Sequence, residues 1–165
     1  MKIKISLTPE FLNYVDGFRP GVAGLIARIV WEEFEELLWT APQMSGNYVA
    51  NLRIQTGSRS GSKGGTLVYP IPEKEEGYFK RGSLPAISYA LSQNLDFVAR
   101  ATRNIKRGAG WLPMITVYNL LPYAGVVEDM DKLRLENRGG EHAVKQFEER
   151  LQARFNHTIP YVAVV

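Results

Sequence analysis

The feature that most constrains the fold is a run of apolar residues at helical spacing between Pro20 and Trp39. Proline suits the first turn of a helix, where its missing N–H costs nothing, so the pattern predicts a helix over about 20–39. The apolar stripe of this helix comprises Val22, Leu25, Ile26, Ile29, Val30, Phe34, Leu37 and Leu38. A stripe at this spacing faces a core, and we expect the helix to cover a small sheet.

The remaining surface of the same helix carries a cluster of four carboxylates: Glu32, Glu33, Glu35 and Glu36. A cluster of this kind could bind a metal ion or perform acid–base catalysis. Adjacent residues on a helix diverge by about 100°, however, and no histidine lies nearby in the sequence. We therefore predict a solvated acidic face and no functional site.

The clearest strand runs from Tyr48 to Gln55, where the residues alternate between two sides. One side carries Tyr48, Ala50, Leu52 and Ile54, and the other carries Val49, Asn51, Arg53 and Gln55. Other predicted elements are strands at 2–6, 66–71, 111–118 and 158–165, helices at about 84–106 and 141–155, and a polar loop at 129–140. Together they predict one α+β domain over 1–165, with a small, mainly antiparallel sheet packed by two to three helices.

Residues 57–82 form a long excursion, which we expect to be a flexible assembly loop projecting from the domain. Its glycine- and serine-rich start is not a phosphate-binding loop, because Gly61 is followed by Ser62 where that pattern requires lysine. We expect this loop and the C-terminal strand 158–165 to reach neighbouring subunits. The predicted subunit-interface residues are Arg59, Lys63, Tyr78, Phe79, Ile159, Tyr161 and Val164.

The predicted helix at 84–106 has an apolar stripe and a basic C-terminal end. The stripe comprises Ile87, Leu91, Leu95, Val98, Ala101 or Thr102, and Ile105. Two interpretations of the basic end stay open: its cations complement the helix dipole, or they form a patch that contacts a partner. In the second, the residues contacting a DNA channel or an acidic partner are Arg103, Lys106 and Arg107.

Composition excludes several classes of chemistry. The chain has no cysteine, so it has no disulfide, no catalytic thiol and no cysteine-ligated metal. His142 and His157 lack the spacing of metal ligands. The net charge of +3 is only mildly basic, and no apolar run approaches eighteen residues, so no membrane partner is expected. We predict a protein that is not an enzyme and has no cofactor, no metal and no catalytic residue.

Two short segments carry a more specific signal. Thr40–Tyr48 reads TAPQMSGNY after the long helix, and Asn119–Glu128 reads NLLPYAGVVE after a later strand. They resemble the T-P-x-x-[TS]-G-x-[LY] and N-x-x-P-Y-A-x-x-V-E motifs of the bacteriophage neck and tail-completion (head–tail joining) proteins, in the same order and context. The chain departs from this pattern by one extra residue between Thr40 and Pro42, and by Asp129 where a glycine often follows the glutamate.

The resemblance implies a structural protein of the virion, assembled in the host cytoplasm. Such a protein forms a hexameric or dodecameric ring between portal and tail and joins head to tail around the DNA channel. Its partners would be further copies of itself, portal or adaptor proteins and tail proteins, with non-specific contact to packaged DNA. The alternative is a small basic nucleic-acid-binding module, in which Tyr69, Tyr78 and Phe79 would interleave with the cations.

The two motifs also suggest which residues shape the fold. The fold-signature residues are Pro42, Gly46, Arg53, Pro122, Tyr123 and Glu128. We expect the stretch 118–128 to pack on 40–55, with Gly46 at a positive φ and the ring of Tyr123 covering the sheet. Glu128 is predicted to accept a hydrogen bond from a backbone N–H or to pair with Arg53.

Overall fold

In the described part of the chain, strands are interspersed with pairs of consecutive helices, which builds the predicted α+β architecture. The computed structural model describes residues 2–3, 5–7, 19–41, 46–57, 84–107, 115–122, 124–136, 143–159 and 162–164. The strands in this part of the chain are β1 (Lys2–Ile3), β2 (Ile5–Leu7), β3 (Leu52–Thr56), β4 (Ile115–Asn119) and β5 (Val162–Val164). The helices are α1 (Arg19–Thr40), α2 (Asn47–Ala50), α3 (Leu84–Asn94), α4 (Phe97–Arg107), α5 (Ala124–Glu136) and α6 (Ala143–Thr158). The predicted strand at 66–71 and most of the predicted loop at 57–82 lie outside the described residues.

The central sheet is antiparallel and has the strand order β1–β4–β3. Strands β3 and β4 pair along their whole length, with Leu52 opposite Asn119 and Thr56 opposite Ile115. A second antiparallel pair joins β2 to β5, with Ile5 opposite Val164. The C-terminal strand therefore pairs with the N-terminal region of its own chain.

Helix α1 confirms the helix predicted from the apolar stripe, and it lies at the centre of the core. Ile26, Phe34 and Leu38 are fully buried, whereas Leu25 is an exposed exception within the predicted stripe. The helix packs along α4 and α6, and Trp31 stacks on Phe97 of α4 with 6.3 Å between the ring centroids. Burial of this stripe against two helices supplies much of the apolar driving force for folding.

The strand predicted from Tyr48 to Gln55 begins later than expected, because its first part is helical. Residues Asn47–Ala50 form the single turn α2, and Asn51 Nδ2 donates to the backbone oxygen of Asn47 at 2.9 Å. The strand then starts at Leu52. Alternation alone could not reveal this turn, because both sides of the segment are buried.

The helix predicted at 84–106 is two helices, interrupted at Leu95 and Asp96. Asn94, which is 2% exposed, ends α3 and turns its amide toward the edge of β3. Its Oδ1 accepts from the N–H of Ile54 at 2.9 Å, and its Nδ2 donates to the carbonyl of Leu52 at 3.2 Å. One side chain thus takes the place of a neighbouring strand, which protects the edge of the sheet.

The apolar stripe predicted for that helix also needs correction. Leu95 was expected in the core but is 73% exposed, since it lies in the break between α3 and α4. Phe97 is buried in its place and packs against α1.

The prediction of a solvated acidic face on α1 is wrong at one position. Glu33 is only 6% exposed, and its carboxylate accepts hydrogen bonds from Arg150 at 2.9 Å and from Arg154 at 3.2 Å. Exposed Glu32 also bonds to Arg154, and this carboxylate, with help from Glu33, raises the pKa of Arg154 above its usual value. These pairs tie α1 to α6, which is a structural use of the cluster.

Residues 129–136 are helical, although a polar loop was predicted from 129. Helix α5 begins at Ala124 directly after the Pro122 turn and continues to Glu136. Ala124 and Val127 in its first turn pack against the core. Most residues of this segment are good helix formers, so its polar character alone was a poor guide.

Candidate functional site

The candidate site is the place where the two motif segments meet, and we call it the motif junction. It consists of Tyr48, Asn51, Asn119, Leu120 and Glu128. Tyr48 Oη donates to Glu128 Oε1 at 2.6 Å, and Asn119 Nδ2 donates to the carbonyl of Tyr48 at 2.7 Å. The backbone N–H of Leu120 donates to the carbonyl of Asn51 at 3.1 Å. These bonds confirm that the stretch 118–128 packs on the stretch 40–55.

The α2 side of the motif junction depends on Gly46. Its φ is +74°, as predicted, and glycine adopts this conformation without the steric penalty of a side chain. The carbonyl of Gly46 accepts from the N–H of Ala50 at 2.9 Å, which closes the turn. The turn buries the ring of Tyr48, leaving its hydroxyl to reach Glu128.

The β4 side depends on Asn119, whose amide oxygen and amide nitrogen both form hydrogen bonds. Its Oδ1 accepts from the N–H of Leu121 at 2.9 Å, while its Nδ2 holds the carbonyl of Tyr48. Aspartate could accept the first bond but could not donate the second. The carbonyl of Leu121 then accepts from the N–H of Ala124 at 3.2 Å, and α5 begins. An asparagine at this position therefore both shapes the turn and binds α2.

The predicted partner of Glu128 is wrong, because its carboxylate binds Tyr48 and not Arg53 or a backbone amide. Arg53 lies in β3 opposite Tyr118, and its Nη1 donates to the carbonyls of Ala50 and Leu52 at 2.8 Å each. Burial lowers the pKa of Arg53, and interactions with Tyr89 and Tyr118 offset part of that shift. Arg53 therefore stabilises the link between α2 and β3.

The motif junction is an arrangement that holds elements together. A phenol bound to one carboxylate, with an amide bridging two backbone segments, stabilises packing. Among the described residues, no group of three histidine, aspartate or glutamate side chains could hold a metal ion. That the chain is not an enzyme and binds no cofactor stays a prediction.

The predicted basic patch lies on α4. Arg103 is exposed, and its neighbour Asn104 donates through Nδ2 to Thr56 Oγ1 at the end of β3. Arg100 is engaged in an exposed pair with Asp96, one helical turn before it. Lys106 and Arg107 belong to the last turn of α4, and their side chains lie outside the described part of the structure.

The predicted subunit-interface residues fall into three groups. Ile159 is 4% exposed and belongs to the core of its own chain, which leaves its side chain little surface to offer a neighbour. Val164 lies in β5, opposite Ile5 of the same chain. The residues Arg59, Lys63, Tyr78, Phe79 and Tyr161 lie outside the described residues, as do the fold-signature residues Pro42 and Tyr123.

Sequence reasoning missed two features of this region. The first is the hydrogen bond between Tyr48 and Glu128. The spacing of Ala124, Val127 and Glu128 after Pro122 is typical of a helix and could have indicated that Glu128 lies on the first turns of α5. The second is an exposed apolar pair on α5, Val126 and Met130, which are 60% and 54% exposed. Their spacing of four residues places them on one side of a helix.

Comparison of the chain with protein-family models, with curated proteins and with solved structures finds no match. In the described part of the chain, no helix combines the length and apolar character needed to cross a membrane.

Proposed function

We propose that this chain is a structural protein of the neck of a tailed bacteriophage, forming a ring between portal and tail. The observation that carries the proposal is the motif junction. Two segments some seventy to eighty residues apart carry the resemblance, and they bind each other directly through Tyr48, Asn119 and Glu128.

Several motif residues in the described part of the chain have an identifiable role in the fold. Gly46 takes the positive φ, and Tyr48 and Glu128 share a hydrogen bond. Asn119 bridges β4 and α2, while Ala124 and Val127 anchor α5 on the core. These separate roles at positions of both motifs support the resemblance.

The proposed mechanism is assembly and not catalysis. Each copy would contact the next around a ring with a central channel, and closed rings of identical subunits use two different faces of each copy. Cations on the channel wall would contact phosphates without reading sequence. The virion partners would be portal or adaptor proteins on one side and tail proteins on the other.

A second candidate function is a nucleic-acid-binding module, favoured by the cations of α4. That module would bind DNA as a single copy, with an affinity that falls steeply as salt rises. No aromatic side chain lies on the exposed side of α4 within the described residues, so base stacking there has no platform.

The test is the mass of the purified full-length protein, alone and after mixing with DNA-filled heads and with tails of the phage that encodes it. The proposal predicts a ring of six or twelve copies, formed in solution or on the head. A protein that stays monomeric in every mixture and never enters particles contradicts it. Salt-sensitive DNA binding by that monomer would favour the second candidate.

A further inference from the structure

Helix α5 presents an exposed side that is both apolar and acidic, which we call the α5 face: Val126, Asp129 and Met130. Val126 and Met130 are 60% and 54% exposed, while Val127 on the other side of the helix packs on the core. Asp129 is exposed, and its carboxylate forms no hydrogen bond or ion pair with any described residue. Over its full length, α5 carries four carboxylates and two cations.

Helix α4 presents a matching side that is apolar and basic, which we call the α4 face: Leu95, Ala99 and Arg103. Leu95 is 73% exposed just before the helix, and Ala99 and Arg103 are exposed one turn apart. The guanidinium of Arg103, like the carboxylate of Asp129, forms no hydrogen bond or ion pair with a described residue. The helix carries four cations and no carboxylate.

The two faces belong to opposite ends of the central sheet. Asn104, beside Arg103, binds Thr56 at the last residue of β3. Helix α5 follows Asn119, which pairs with Leu52 at the first residue of β3. At about 3.3 Å per strand residue, the two ends of β3 are roughly 13 Å apart. Helices α4 and α5 therefore contact the sheet near different ends of β3.

We infer that the α5 face of one copy docks on the α4 face of the next copy. Apolar side chains would meet at the centre, with Asp129 of one copy beside Arg103 of the other, and the contact would be head-to-tail. Contacts of this type close into rings when the rotation between copies allows it. This inference rests on the proposed function and names the partner of the basic patch as protein. The exposed apolar Leu95 on the α4 face favours a protein partner over DNA.

The test exchanges the two charges between copies. Arg103→Glu gives a chain whose two faces are both acidic, and Asp129→Arg gives a chain whose two faces are both basic. Each variant alone should associate about tenfold more weakly than the unmodified chain, because like charges oppose each other in every contact. An equal mixture should recover assembly, because every contact then joins an acidic face to a basic one. The double variant Arg103→Glu/Asp129→Arg should also recover it.

The readout is native mass spectrometry of the full chain, alone and on phage heads, with circular dichroism as the control for folding. Matched controls are Lys145→Glu and Glu149→Arg, which reverse exposed charges on α6 and should leave assembly unchanged. Single variants that assemble like the unmodified chain, or a mixture that fails to recover, overturn the inference while leaving the ring proposal intact. An unmodified chain that never assembles overturns both. If Arg103→Glu abolishes DNA binding and leaves assembly unchanged, the α4 face binds DNA, and the docking inference is also overturned.

An independent measurement uses the absence of cysteine from the chain. A Met130→Cys chain mixed with an Ala99→Cys chain should form a disulfide-linked heterodimer under mild oxidation. A control mixture uses an Ala153→Cys chain, with the cysteine at an exposed alanine of α6, in place of the Ala99→Cys chain. The yield of disulfide-linked heterodimer should then be lower by at least about tenfold. Equal yields from the two mixtures would show collision between exposed thiols and would contradict the docking.

Discussion

The substitution Tyr48→Phe removes one oxygen atom and leaves the buried ring, so it tests the hydrogen bond across the motif junction. The hydroxyl lies 2.6 Å from Glu128 Oε1, and Tyr48 is 5% exposed. A hydrogen bond to a charged group contributes about 1.5–3 kcal/mol. Since Glu128 is half-buried and water can replace the lost donor, we expect a loss of about 1–1.5 kcal/mol. For a chain of this size, that loss lowers the Tm by about 3–5 °C.

The assay is urea unfolding followed by tryptophan fluorescence, performed as a double-mutant cycle with Glu128→Ala. The two single variants and the double variant give the interaction energy of the pair, separate from the effect of each change on its own surroundings. We expect an interaction energy of about 1 kcal/mol, because either change alone already breaks the bond. The slope of the unfolding free energy against urea should stay unchanged, since the same surface is exposed on unfolding.

Tyr118→Phe is the matched control. Its hydroxyl lies 3.4 Å from Gln55 Oε1, and this long contact to a neutral amide contributes less than the bond of Tyr48 to a carboxylate. We expect this change to lower the free energy of unfolding by less than Tyr48→Phe does. An interaction energy near zero between Tyr48 and Glu128, or a control that destabilises as much as Tyr48→Phe, would refute the assignment of this bond.

Three further predictions concern the elements around the motif junction. Asn94→Ala leaves the Ile54 N–H and the Leu52 carbonyl without their side-chain partner. We expect urea unfolding to show a free energy of unfolding lower by about 2–4 kcal/mol. A decrease below about 0.5 kcal/mol would contradict the role of the amide. Glu33→Ala removes the carboxylate that accepts hydrogen bonds from Arg150 and Arg154. Because both arginines are partly exposed, we expect the free energy of unfolding to fall by about 2 kcal/mol, with Glu36→Ala as the exposed control. Gly46→Ala places a side chain at a φ of +74° and should lower the free energy of unfolding by about 1 kcal/mol, whereas an unchanged midpoint would argue against that conformation.

Much of the architecture followed from periodicity. The apolar stripe of α1 was long enough to predict its bounds within one residue, and the antiparallel α+β arrangement is confirmed. What periodicity could not supply were the places where side chains interrupt an element. Asn94 ends a helix because its amide bonds to the backbone of β3, some forty residues away in the sequence. A contact of that range leaves no trace in local spacing.

The contact between the two motif segments was predicted correctly, but the predicted partner of Glu128 was wrong. The two motif segments were expected to pack together, and they do so through Asn119 and Tyr48. Glu128 was expected to bind a backbone N–H or Arg53, but Arg53 is held by two backbone carbonyls and Glu128 by a phenol. The helical start of α5 decides this geometry, and it was hidden by the polar residues that follow. The side of α5 that carries Val126 and Met130 was missed for the same reason.

The proposed ring can be tested by measuring the mass of the full-length protein on DNA-filled phage heads. The chain has a mass of 18.6 kDa, and we expect it to join the head as a closed ring with six or twelve times that mass. A protein that remains at the mass of one chain, both in solution and in the presence of heads and tails, would rule out the ring.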